Sequence, residues 1–215
     1  VRLGDRDIET GNLKLKIMER TVNALRRFQE IAKTFNAEAI IAVATSAVRE
    51  APNGREFLYR IKNELNLDVD LISGHEEARR IYLGVLSGME FNNQPHTIID
   101  IGGGSTEIIL GDSDDERCLS STKVGAVRLT SELITTDPIS DQEYNYLQAY
   151  ARGMLESAVE EILSNIRFGE KARLVGTSGT IETLANIHAK ETLDSIPSTL
   201  NGYSFSLKDL REMIS

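Results

Sequence analysis

The sequence predicts a mixed α/β fold arranged as two successive α/β units. Short apolar runs rich in β-branched residues, at 39–44, 68–72, 97–99 and 172–175, alternate with longer stretches of helical periodicity. A polar stretch with a proline, Asn92 to His96, separates two complete strand–helix patterns. Glycine- and hydroxyl-rich turns follow strands at Gly102–Thr106 and Gly176–Thr180, the ends at which open α/β sheets bind ligands. These observations place the units at 1–93 and 94–215.

The first helix is expected over Leu13–Phe35, where Leu15, Met18, Val22, Leu25 and Phe28 recur at threes and fours. Ala39–Ala44 reads as a short buried strand, and Thr45–Glu50 as a polar loop after it. Small hydroxyl residues followed by Arg49 suit an anion there; the alternative is an ordinary connection with a solvated arginine. Pro52-Asn53-Gly54 is a turn, Arg55–Asn66 a second helix, and Asp68–Ile72 a strand. Ser73 then opens a third helix to about Met89, with Glu76 and Glu77 in its first turn, where acids complement the helix dipole. Its apolar side is drawn from Ile81, Leu83, Val85 and Leu86. His75 has no ligand partner at metal spacing and reads as a surface residue.

Thr97–Gly111, TIIDIGGGSTEIILG, is the most informative stretch: two strands joined by a glycine turn, with Asp100 before it and Glu107 after it. Glycines serve such a turn where φ is positive or where a ligand comes close. Successive N–H groups in the turn can bind an anion. Two carboxylates repel a phosphate unless a cation lies between them, and hard cations such as Mg²⁺ take oxygen ligands. A plain hairpin with a tight turn is the competing interpretation. Asp112–Glu116 reads as a solvated acidic turn, Arg117–Lys123 as a third strand, and Val124–Leu129 as the start of a helix reaching about Ile134. Pro138 breaks the pattern, and Ser140 caps a long helix from Asp141 to about Ile166. Ala172–Val175 is a strand; Gly176, Thr177, Ser178, Gly179 and Thr180 form a loop before a helix from Ile181, an arrangement suited to anions. That loop lacks the Gly-Lys-Ser/Thr of a Walker loop. Leu193–Gly202 reads as irregular, with a last helix from Ser206.

The 215 residues carry 24 basic and 33 acidic side chains, net −9, which argues against binding a nucleic-acid duplex through a basic face. The apolar runs fall well short of the ~20 residues that span a membrane. Cys118 is the single cysteine, so it forms no internal disulfide and reads as a small buried residue rather than a nucleophile. The chain begins Val1-Arg2-Leu3 without an initiating Met, and a helical pattern is still running at Ser215; both suggest a piece of a longer protein.

Five segments in order, ATSAVRE (44–50), SGHEEARRIYLGV (73–85), IDIGGGSTEI (99–108), VGAVRL (124–129) and VGTSGTIETLA (175–185), closely resemble the exopolyphosphatase / guanosine pentaphosphate phosphohydrolase (Ppx/GppA) family. The resemblance implies two ribonuclease H-like domains of the actin / sugar kinase / Hsp70 type flanking a phosphate-binding cleft. It also implies a cytoplasmic, homodimeric parent hydrolysing polyphosphate or guanosine pentaphosphate with Mg²⁺ or another divalent cation. By position, Glu77 resembles the catalytic base, Asp100 and Glu107 the metal-side acids, and Gly102, Gly103, Gly104 and Ser105 the phosphate loop. Arg49 resembles the arginine that meets substrate phosphate, and Gly176–Thr180 the nucleotide-side loop. Helical geometry agrees on Glu77: neighbours on a helix lie ~100° apart. Glu77 then shares the side of Ile81, while Glu76 lies toward Arg79 and Arg80. The family's opening hairpin, with its Asp-x-Gly-Ser/Thr-Asn-Ser loop, has no counterpart in these residues, so the 215 residues alone are expected to be feebly active. A kinase of the same superfamily and a non-catalytic nucleotide-binding module are the rival interpretations.

Overall fold

The structure is a computed structural model and describes residues 3–4, 6–7, 9–193 and 197–214. The chain forms two compact units, one from Val1–Glu77, Gly103–Ser105 and Lys123–Met154, the other from Ala78–Gly102, Thr106–Thr122 and Leu155–Ser215. The expected division at 93/94 follows the order of the chain, whereas these units follow packing, and 78–102 falls within one of them.

In the first unit, helix α1 (Leu15–Thr34) turns Val22 inward, with Met18 and Leu25 beside it. The core also takes Leu13, Phe57 and Ile61, the last two from helix α3 (Gly54–Leu65), which stops where Asn66 adopts a left-handed conformation (φ 49°). Strand β1 (Ala42–Ala44) pairs in parallel with β2 (Val69–Leu71). β1 is shorter and more open than its apolar sequence suggests: Ile41 is 82% and Val43 42% exposed. Side chains alternate along a strand, so Ala44 faces the core while Ile41 and Val43 face away. The expected polar loop is a one-turn helix, α2 (Ser46–Arg49), with Ser46 and Val48 buried. Helix α5 (Ala126–Leu133) follows Gly125. Helix α6 (Asp141–Asn165) begins as expected at Ser140, whose hydroxyl accepts the Glu143 N–H at 3.3 Å.

The second unit is built on a four-stranded sheet of order β5–β4–β3–β6, with β3 (His96–Ile101), β4 (Thr106–Gly111), β5 (Glu116–Thr122) and β6 (Arg173–Thr177). The β3–β4–β5 meander is antiparallel, and β6 joins β3 in parallel. Every residue of β4 is buried, because helices cover both faces of the sheet. Ile98 and Ile109 pack with Ala78 and Tyr82 of helix α4 (Gly74–Gly88); Ile108, Leu110 and Cys118 pack with Ala158 and Ile162 of α6. The buried face of α4 therefore runs through Ala78 and Tyr82; Leu83, expected on the apolar side, is 42% exposed.

A polar stretch read as separating the two units and an acidic turn read as solvated are both tied into this unit. Phe91 stacks on His96 with ring centroids 4.1 Å apart, and His96 is 1% exposed, so Asn92–His96 is not a free linker. Asp112 accepts two bonds from Arg117, at 2.5 and 2.9 Å, and Arg117 also donates to Glu170 at 2.7 Å. Helix α7 (Ser178–Thr192) follows β6 directly, and α8 (Leu207–Met213) starts at a capping box of Ser206 and Asp209. The expected irregular stretch Leu193–Gly202 includes residues 194–196, which lie outside the described residues.

Candidate functional site

In the second unit, sheet register lines up four polar side chains. Ser121, Glu107, Asp100 and Thr177 are successive partners across β5, β4, β3 and β6. Partners in register share a face, so the two acids expected at a metal stand side by side. Each is oriented by a hydroxyl: Ser121 Oγ donates to Glu107 at 2.7 Å and Thr177 Oγ1 to Asp100 at 2.6 Å. Glu107 is 1% exposed, whereas Asp100 is half-buried. No cluster of three or more His, Cys, Asp or Glu side chains forms among the described residues. A pair of carboxylates is nonetheless a suitable donor set for Mg²⁺, which usually takes one or two carboxylates and completes its shell with water and phosphate oxygens.

The segment Gly176–Thr180 is not a loop. Gly176 and Thr177 end β6, and Ser178, Gly179 and Thr180 form the first turn of α7. The abrupt passage puts Ser178 at φ 67°. The Ser178 and Thr180 hydroxyls both donate to the Ile101 carbonyl, at 2.8 and 3.0 Å. Gly176 is required by packing, since a Cβ there would come within 2.5 Å of Ile181.

The first unit holds Arg49, Glu77, Gly103, Gly104 and Ser105; Gly102 belongs to the second. Arg49 Nη1 donates to the Ile72 carbonyl at 2.8 Å and to Glu77 at 3.1 Å. Their side chains are only 22% and 16% exposed, so the pair is largely withdrawn from bulk water. Ser73 accepts the Glu76 N–H at 3.1 Å, fixing the helix start that presents Glu77. Neither Gly102, Gly103 nor Gly104 has a positive φ, contrary to one of the reasons a glycine turn suggested. Close approach explains Gly104 instead: its Cβ would lie 2.5 Å from Ser46 Oγ. Likewise, a Cβ on Gly125 would sit 2.5 Å from the Gly103 carbonyl.

Sequence reasoning passed over the residues that bind this turn to its unit. The Arg128 N–H donates to the Gly103 carbonyl at 2.9 Å, and its Nε to the Gly104 carbonyl at 2.9 Å. The same guanidinium pairs with Glu50, and Glu50 accepts Ser46 Oγ at 3.0 Å. Arg6 donates to the Ser46 and Ala47 carbonyls, at 3.0 Å each. Burial, together with the positive charge of Arg128, lowers the Arg6 pKa. A cavity of about 290 Å³ opens here, lined by Arg6, Ala47, Gly103, Gly104, Arg128 and Glu132 among others. The available signal was an acid in ATSAVRE and a base in VGAVRL, two segments already conspicuous for other reasons.

A model of the Ppx/GppA phosphatase family matches residues 1–215. The chain is 34% identical over 170 residues to a guanosine-5′-triphosphate,3′-diphosphate pyrophosphatase of Aeromonas hydrophila, covering 79% of this chain and 33% of that protein. It is 32% identical over 191 residues to exopolyphosphatase 2 of Mycobacterium tuberculosis, covering 86% of this chain and 58% of the relative. Among solved structures, an exopolyphosphatase from Cytophaga hutchinsonii superposes with TM-score 0.87 and 29% identity over 98% of this chain and 67% of that one. The chain thus spans about a third of the Aeromonas protein.

Proposed function

The chain belongs to the Ppx/GppA phosphatase family, and from that premise we propose that the protein carrying it is a phosphoanhydride hydrolase. It would release terminal phosphate from inorganic polyphosphate, the 5′-phosphate of guanosine pentaphosphate, or both. The observation that carries this reading is the Arg49–Glu77 pair: a shielded carboxylate held at 3.1 Å from an arginine suited to phosphate.

In this mechanism Glu77 orients a water and takes its proton as the water oxygen attacks the terminal phosphorus. The bridging P–O bond breaks, giving orthophosphate and a substrate one phosphate shorter. Arg49 and the N–H groups of the 103–105 turn hold the phosphoryl oxygens as charge develops on them. Asp100 and Glu107, aimed by Thr177 and Ser121, would hold Mg²⁺ or another divalent cation. When bound, the ion neutralises phosphate charge and removes the repulsion two carboxylates would otherwise impose. The Gly176–Thr180 segment would act mainly by anchoring β3 through its hydroxyls. For the whole protein, the reading retains domains divided near residue 93, a cytoplasmic location and a homodimer.

The test is phosphate release by the full-length protein from polyphosphate and from guanosine pentaphosphate, with and without Mg²⁺. Release that depends on Mg²⁺ is expected. Transfer of the phosphate to an acceptor would replace this reading with a kinase, and binding without release would replace it with a regulatory module.

A further inference from the structure

The Arg128 side chain reaches the glycine turn and, through a shared acid, the segment that carries Arg49. Its side-chain Nε takes the Gly104 carbonyl, and the backbone N–H of the same residue takes the Gly103 carbonyl. Its guanidinium pairs with Glu50, which follows α2 and also accepts the Ser46 hydroxyl within it. Ser46 Oγ in turn fills the space beside Gly104 that a side chain would need. Arg128 and Glu50 are 14% and 13% exposed, so the pair is shielded from water and salt.

Peptide planarity gives this arrangement a consequence. In a trans peptide the carbonyl and the following N–H point in opposite directions. Holding the Gly103 and Gly104 carbonyls against α5 therefore turns the Gly104 and Ser105 N–H groups to the other side of the turn. Glycine backbone has wide torsional freedom, so without such a hold these peptides could rotate.

We propose that Arg128, braced by Glu50, is a positioning residue: it sets the direction of the turn's N–H donors and ties them to the helix bearing Arg49. A guanidinium can do this because its donors spread in a fixed plane; a lysine ammonium acts from one point and does not span a backbone carbonyl and a carboxylate together. The catalytic consequence rests on the phosphohydrolase reading above, but the orientation of the turn does not.

Two measurements on the full-length protein separate these claims. The first is amide hydrogen exchange at Gly104 and Ser105 in wild type, Arg128→Lys and Glu50→Gln. Exchange at Ser105, whose peptide carries the Gly104 carbonyl held by Nε, should rise by roughly tenfold or more in both variants, with a smaller change at Gly104, whose peptide is held by the Arg128 backbone N–H, and β4 amides unchanged. The second is steady-state release of phosphate from polyphosphate. Arg128→Lys should lower kcat by roughly 10–100-fold with a smaller change in KM, as expected when groups around a reacting phosphoryl lose alignment. Combining Arg128→Lys with Glu50→Gln should cost little more than either alone, because the two act as one unit. A purely structural role would lower the melting temperature while leaving kcat per folded molecule intact, and that result would overturn the proposal. Wild-type exchange at Ser105 in Arg128→Lys would also overturn it. A wild-type protein that releases no phosphate would defeat the phosphohydrolase reading and leave the exchange result to decide on Arg128.

Discussion

The Thr177 hydroxyl donates to the Asp100 carboxylate at 2.6 Å across the parallel pair β6–β3, while Glu107 occupies the antiparallel neighbour on the other side. One oxygen of Asp100 is thereby oriented before any ligand arrives. Partners of this kind typically contribute ~10–100-fold in metal affinity or activity. Thr177→Val keeps the β-branched shape and removes the donor, so it should raise the Mg²⁺ concentration for half-maximal phosphate release by roughly tenfold. Asp100→Ala should weaken Mg²⁺ activation and turnover together. A Mg²⁺ titration of activity checks both, and unchanged Mg²⁺ activation in Asp100→Ala would remove this acid from the metal assignment.

Glu77 and Glu76 are adjacent in α4, and it is Glu77 that pairs with Arg49. Glu77→Gln keeps an oxygen for Arg49 and loses the capacity to take a proton. In the full-length protein it should cut kcat by roughly 10²–10⁴-fold, the usual share of a general base, with polyphosphate binding largely retained. Glu76→Gln should change kcat only a few-fold. The reverse pattern would transfer the role to Glu76.

Acid should loosen the second unit through Asp112. The N–H of Asp114, and then the Arg117 guanidinium, hold this carboxyl below its ordinary range. Glu170 is lowered as well, first by Arg117. A carboxylate whose folded pKa is depressed contributes stability that is present above the unfolded pKa, ~3.9 for Asp. That contribution is lost as pH falls through the folded value. Urea midpoints should therefore drop below about pH 4, and Asp112→Asn should be less stable than wild type at neutral pH but show a shallower acid-side decline. Parallel acid-side curves for the two proteins would contradict the assignment.

Burial pushes the Cys118 thiol up to about 11. Only the thiolate reacts readily, so the native protein should resist a thiol reagent at pH 8 and label fully once unfolded in guanidinium. Rapid labelling of the native state would contradict the packing of Cys118 with Ile108 and Leu110.

Much of this organisation is legible in the residues. The apolar run before Asp100 and the one after Glu107 specify the β3–β4 hairpin, and period-3.6 patterns specify α1, α3 and α6. Motif position singles out Arg49 and Glu77, which the fold brings into contact. Other features depend on partners far away in sequence. His96 looks like part of a polar linker until Phe91 stacks on it. The glycines of the turn suggest unusual torsions, but Gly104 meets Ser46, and no local pattern reveals that approach. Strand β1 looks buried because apolar composition does not tell which face of a short strand is covered. Arg128 and Glu50 each look like ordinary surface charges, because a pairing across 78 positions leaves no local trace.

The four-residue row across the sheet also has an order of assembly in time. Strands β3, β4 and β5 are joined by short turns, so Asp100, Glu107 and Ser121 can be aligned as soon as that meander leaves the ribosome. Thr177 arrives only after α5 and α6 have been synthesised, and β6 must then dock in parallel on β3. Parallel pairing of distant segments is slow compared with closing a hairpin. A nascent chain therefore passes through a stage in which Glu107 already has its serine while Asp100 still lacks its threonine, and docking of β6 completes both the sheet and the orientation of the acid pair.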